Sequence, residues 1–168
     1  MSRKYHAGIN LVLTSWYQCG ILLVLYRGMC HKMRTMQVYK KIEDENIPVI
    51  DCAVVGVKGV IIKSRDKYGI FINHKEIENS DEEFMVLAHE WGHYASGTLH
   101  GLSSGKTHIS QCEYRADRKA VLEFLPFERI QDAIKNGCQT PYEFSEFLDM
   151  PEKFVLQAFN HYKNMGLI

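Results

Sequence analysis

The stretch His89-Glu90-Trp91-Gly92-His93-Tyr94 places two histidines four residues apart, with a glutamate directly after the first. Residues four apart on an α-helix project from one face about a turn from each other, so this spacing brings both imidazoles to one ion only if the segment is helical. The residues upstream agree. Ser80-Asp81-Glu82-Glu83 sets a serine three residues before a glutamate, just ahead of the apolar Phe84-Met85-Val86-Leu87. That is a capping box, and it predicts a helix opening at Ser80 that carries the histidines.

The pattern H-E-x-x-H has a chemical reading in which zinc takes the two imidazoles. The glutamate, too far round the helix to bind, acts as general base toward the water the metal activates. Eight histidines and thirteen glutamates in 168 residues give on the order of 0.03 chance matches, so the motif needs support from elsewhere in the chain. A catalytic zinc with three protein ligands requires one more donor, from an element packed against the first helix. Glu113 stands 20 residues beyond His93, past the Gly-, Ser- and Thr-rich loop 96–107, near the start of a second helical pattern. Asp117 follows one turn later, where a carboxylate can accept a hydrogen bond from the outer nitrogen of a ligating histidine and fix its tautomer. The expected site is therefore Glu90 as base, with His89, His93 and Glu113 on the metal and Asp117 behind them. The competing reading leaves His89 and His93 on a solvent face and pairs Glu113 and Asp117 with Arg115, Arg118 or Lys119.

Other polar residues carry less. His100, His108, Tyr94 and Tyr114 are candidates to stabilise an oxyanion. His6, His31, His74 and His161 lie outside the motif and read as non-functional. Cys112 is either a soft ligand beside Glu113 or a buried thiol.

Around the motif, residues 36–46 predict a short amphipathic helix ended by Ile47-Pro48. Runs at 49–57, 60–63 and 70–73 predict a small sheet, its last two strands paired as a hairpin across 64–69. Helices are expected over about 110–124, 127–135 and 142–164, the last broken at Pro151.

The balance of 20 basic and 20 acidic residues, with no block of one sign, argues against general binding of nucleic acid or anionic surfaces. Five cysteines, an odd number without a C-x-x-C pair, argue against a disulfide framework and fit a cytoplasmic location. Residues 7–26 contain no charge, but Asn10, Thr14, Ser15 and Gln18 interrupt them. They are either an uncleaved hydrophobic anchor or part of a dispensable extension from a start placed upstream of Met29, Met33 or Met36. Either way the expected division is an N-terminal extension, 1–35, and one domain, 36–168.

Leu87-Ala88-His89-Glu90-Trp91-Gly92-His93-Tyr94 resembles the "LAHElGHy" helix of the ImmA/IrrE metallo-endopeptidases, and Glu113-Tyr114-Arg115-Ala116-Asp117 resembles that family's "E-x-x-A-N/D" segment. The similarity extends to Leu125-Pro126, the preceding strand pair and the closing Met150-Pro151-Glu152 helix, about residues 36–168 in all. Lys119 departs from the pattern, standing where the family often has an apolar residue, and residues 1–35 have no counterpart. The resemblance implies an α+β, zincin-like (gluzincin-like) domain with a short antiparallel sheet and an active-site helix. It also implies a zinc cofactor and, in members carried by mobile elements, cleavage of a helix-turn-helix repressor encoded nearby. Two alternatives accompany it. One is a non-catalytic regulator that binds a repressor protein and holds zinc structurally. The other makes 140–164 a DNA-binding helix-turn-helix, which the two lysines of 151–164 and the absence of arginine there disfavour.

Overall fold

Helix α1, Ile21–Asp44, runs through the boundary expected at residue 36. The computed structural model describes residues 21–53, 56–99 and 106–168, with side chains from residue 33 onward. Just before the predicted 36–46, residues 34 and 35 are anchored to the rest of the fold. Arg34 and Thr35 are buried, the Arg34 guanidinium pairing with Asp81 and, at 3.5 Å, with Asp149, while the Thr35 hydroxyl donates to the Ser80 carbonyl. Val38 and Ile42, one helical turn apart, are fully buried beneath them. The helix ends when Asn46 adopts a left-handed φ of 58° and the Ile47 amide bonds back to the Ile42 carbonyl. Of the uncharged stretch 7–26, residues 7–20 lie outside the described residues. Among the described residues no helix is long and apolar enough to cross a membrane.

Strands β1 (Val49–Asp51), β2 (Gly59–Ser64) and β3 (Lys67–Ile72) form a sheet in the order β1-β3-β2. β2 and β3 make the expected hairpin, in register from Ser64↔Lys67 to Gly59↔Ile72, with Arg65 in the turn at a φ of 56°. β1 lies parallel to β3, pairing Val49 with Ile70, so the antiparallel sheet expected from the sequence is instead mixed. The register of a three-residue strand is not written in its side chains. What is written is the burial of Ile70 and Ile72 on the central strand, both fully enclosed. The outcome leaves β2 on an outer edge, facing the helices.

Helix α2 spans Ser80–Ser96, and its cap lies one residue earlier than the predicted Ser80. Asn79, not Ser80, accepts the Glu82 amide with its side chain, and Glu82 rather than Glu83 reaches back, to the Glu78 amide. Asparagine and serine cap equally well, so the local pattern could be read in either frame. Gly97 closes α2 in the left-handed conformation at φ 64°. Helix α3, Lys106–Phe124, follows, then α4 (Phe127–Lys135), α5 (Pro141–Leu148) and α6 (Glu152–Asn164). The predicted break near Pro151 falls between α5 and α6.

The chain is thus α+β, with six helices and a three-stranded mixed sheet among the described residues. Phe84 of α2 sits at the centre of the core, in edge-to-face contact with Phe124 and Phe154 at ring separations of 5.9 and 5.1 Å. α6 buries Phe154, Val155, Ala158, His161 and Tyr162 in that core. Lys119 points into solvent, so its charge leaves the packing of α3 undisturbed.

Candidate metal centre

α2 carries its apolar residues Phe84, Leu87, Ala88 and Trp91 into the core and so fixes the rotation that faces His89 and His93 toward α3. Gly92 sets the distance between the two helices. A Cβ at that position would stand 2.2 Å from the Ala116 carbonyl oxygen, an impossible approach, so only glycine lets the backbones come this close. Glu113, about one turn before Ala116, and Asp117, the residue after it, reach the histidines.

Their atoms meet at one point. His89 Nε2 lies 3.1 Å from His93 Nε2 and 3.0 Å from Glu113 Oε2, while His93 Nε2 lies 3.4 Å from Glu113 Oε1. The outer nitrogens are held from behind. His89 Nδ1 lies 2.8 Å from Asp117 Oδ1, and His93 Nδ1 lies 3.0 Å from the Thr98 carbonyl. Both partners only accept, so each Nδ1 carries the hydrogen and donates it. With Nδ1 carrying the hydrogen in both, the Nε2 atoms of the neutral rings turn their lone pairs toward one point beside the Glu113 carboxylate, a donor set suited to a cation. A tetrahedral ion with bonds of about 2.0–2.1 Å would space its ligand atoms roughly 3.3 Å apart, close to the separations observed. His89, His93 and Glu113 form the group among the described residues that could hold a metal ion.

Burial alone would depress the His89 pKa, but the Asp117 hydrogen bond and the charges of Asp117, Glu90 and Glu113 outweigh it and raise the value above the ordinary histidine range. The same field that favours a proton at this point favours a metal cation. His93 is almost wholly enclosed, whereas His89 and Glu113 are partly open, so the group is reached from one side. The solvent-face alternative for the two histidines does not describe this geometry, nor do the pairings of Glu113 and Asp117 with neighbouring arginines or lysine.

Glu90 is buried beside the group and contributes no atom to it. Its burial raises the carboxyl pKa, against the charges of His89 and His93 and a hydrogen bond from the Ile61 amide of β2 at 2.7 Å. Gly59 allows that strand to approach, since a Cβ there would fall 2.3 Å from Val86 Cγ1. Together β2, α2 and the start of α6 wall a cleft of about 840 Å³ whose lining includes Gly59, His89, Glu90, Asp117, Lys153 and Leu156.

The weaker candidates are engaged elsewhere or exposed. The Tyr94 hydroxyl donates to Glu45, and its ring packs against Tyr68. Tyr114 is exposed, with its ring 6.1 Å from that of His161. His108 meets the buried Cys112 thiol at 3.6 Å, and His100 lies outside the described residues. His74, read as non-functional, bridges Asp51 and Glu83. His6 lies outside the described residues, and no side chain is described at His31. Thr98, Ile61, Gly59 and Gly92 were not singled out from the sequence. Thr98 and Ile61 act through backbone atoms, which leave no residue-type signal. Gly92 had one, being a glycine inside a helix that has to pack closely against another.

No family model, curated protein or solved structure matches the chain.

Proposed function

We propose that the chain is a zinc-dependent endopeptidase of the ImmA/IrrE type with a zincin-like fold, acting on a helix-turn-helix repressor. One observation carries the reading: two tautomer-locked imidazoles and a carboxylate from a second helix converge on one point, with a buried glutamate beside them that takes no part in the convergence. A structural zinc site has no use for such a glutamate, whereas a hydrolytic one needs a base there.

His89, His93 and Glu113 would hold the ion. Zinc bound there supplies a Lewis acid that makes water acidic and a peptide carbonyl electrophilic. The residues do the rest. Asp117 and the Thr98 carbonyl keep both imidazoles in the ligating tautomer. Glu90, with Oε2 held by Ile61, accepts a proton at Oε1 from the attacking water as the water oxygen bonds to the scissile carbonyl carbon. It returns that proton to the leaving nitrogen as the C–N bond breaks. A carboxyl pKa raised by burial suits a group that must both take and give.

The test is incubation of the purified chain with the helix-turn-helix repressor encoded beside its gene. Wild-type protein is expected to cleave it, to stop when chelated and to resume when zinc is restored. Glu90→Gln should keep its zinc while the rate falls about 10²- to 10⁴-fold. Undiminished cleavage by that variant overturns the assignment.

A further inference from the structure

β2 is an edge strand of its sheet, and its register decides which amides face outward. Asn73 donates to the Lys58 carbonyl, and Val60 and Ile62 pair with Phe71 and Gly69, so Lys58, Val60 and Ile62 are the positions bonded to β3. The amides of Gly59, Ile61 and Lys63 therefore point away from β3. An outward amide on an edge strand is ordinarily solvated or available to another strand. That of Ile61 is neither: the residue is 6% exposed, and its N–H donates to Glu90 Oε2 at 2.7 Å. A hydrogen bond from an amide to a carboxylate in a water-poor site is among the stronger kinds. It forms because Gly59 lets β2 come against α2, with the position of its missing Cβ 3.5 Å from Glu90 Cγ.

We propose that the Ile61 backbone amide is the positioning group for Glu90, fixing the rotation of its carboxylate so that one oxygen is tied to β2 and the other is presented to the His89, His93 and Glu113 group. A glutamate side chain has three rotatable bonds, and burial alone does not select among the orientations of its terminal carboxylate. The amide does, and through it the outer edge of the sheet becomes part of the proposed site. The kinetic consequence rests on the peptidase reading; the positioning itself does not.

The test has two arms. In amide hydrogen exchange on the zinc-free and zinc-loaded chain, Ile61 is expected to exchange roughly tenfold or more slowly than its outward neighbour Lys63. Glu90→Ala should bring Ile61 to the Lys63 rate, while the inward amides of Val60 and Ile62 stay protected. Ile61 protection that is unchanged in Glu90→Ala overturns the proposal. In the second arm, Ile61→Pro deletes the donor at an outward position, where it breaks no bond to β3, and Ile61→Val keeps the donor with a smaller side chain. Ile61→Pro should keep its zinc and its KM while kcat falls about 10- to 100-fold, and Ile61→Val should retain kcat. A folded, zinc-loaded Ile61→Pro with wild-type kcat overturns the proposal. Should proline unfold the chain, an amide-to-ester replacement at residue 61 removes the same N–H alone. If the wild-type chain cleaves nothing, the peptidase reading falls, and the exchange arm still decides the positioning.

Discussion

Gly92 of α2 and Ala116 of α3 touch through their backbones, at a distance that leaves no room for a methyl group: a Cβ on residue 92 would lie 2.2 Å from the Ala116 carbonyl oxygen and 2.8 Å from its carbonyl carbon. Because the obstruction is main chain, no side-chain rotation relieves it. Gly92→Ala must push the two helices apart, and Glu113 and Asp117 move with α3. The expected cost is about 1–3 kcal/mol, or a Tm lowered by roughly 2–12 °C, together with weaker zinc binding. Thermal denaturation and zinc titration of the variant check both. Unchanged metal affinity would mean that the helix spacing does not set the site.

Asp117 holds the outer nitrogen of His89 without belonging to the metal group, so its removal separates orientation from ligation. Asp117→Ala should lower zinc affinity about 10- to 100-fold while leaving far-UV circular dichroism unchanged. Competition with a chromophoric chelator measures the loss.

His161 gives the fold a pH dependence independent of the metal. It is 5% exposed, and among the described residues neither ring nitrogen has a hydrogen-bond partner. Burial, helped by the positive charge of Arg118, pulls its pKa below the ordinary histidine value. Its folded-state pKa being the lower one, the unfolded chain takes up a proton that the native chain resists. The stability this residue contributes is complete above pH 6.5 and drains away as pH falls through that value toward the depressed one. Urea unfolding between pH 7.5 and 5 should show wild-type stability falling more steeply than that of His161→Phe, by up to about 1.4 kcal/mol per pH unit. Parallel slopes for the two proteins would contradict this.

The group that could hold a metal ion was legible because its residues belong to the few types that bind metals, and helical periodicity fixes the relative direction of the two histidines. Helix α4 was readable for a related reason, since Pro126 sets its start. The sheet was readable only in part. Its hairpin follows from β-branched runs flanking a polar turn, but the parallel pairing of β1 with β3 depends on where a three-residue strand docks, which local pattern does not specify. The start of α2 was ambiguous by one residue because Asn79 and Ser80 are both good caps and Glu82 and Glu83 both follow at workable spacing. The contacts that finish the site, the Thr98 carbonyl on His93 and the Ile61 amide on Glu90, come from backbone atoms brought in by tertiary packing, and no choice of side chain advertises them.

The central claim is that His89, His93 and Glu113 together hold one zinc ion. X-ray absorption at the zinc edge of the purified chain, alongside its metal content, tests this most directly. The account predicts one zinc per chain, two imidazole nitrogens at about 2.0–2.1 Å, only nitrogen and oxygen neighbours, and loss of the metal in a His89→Ala, His93→Ala double variant. Folded, purified protein without stoichiometric zinc, or zinc with a sulfur neighbour near 2.3 Å that survives the double substitution, would contradict it.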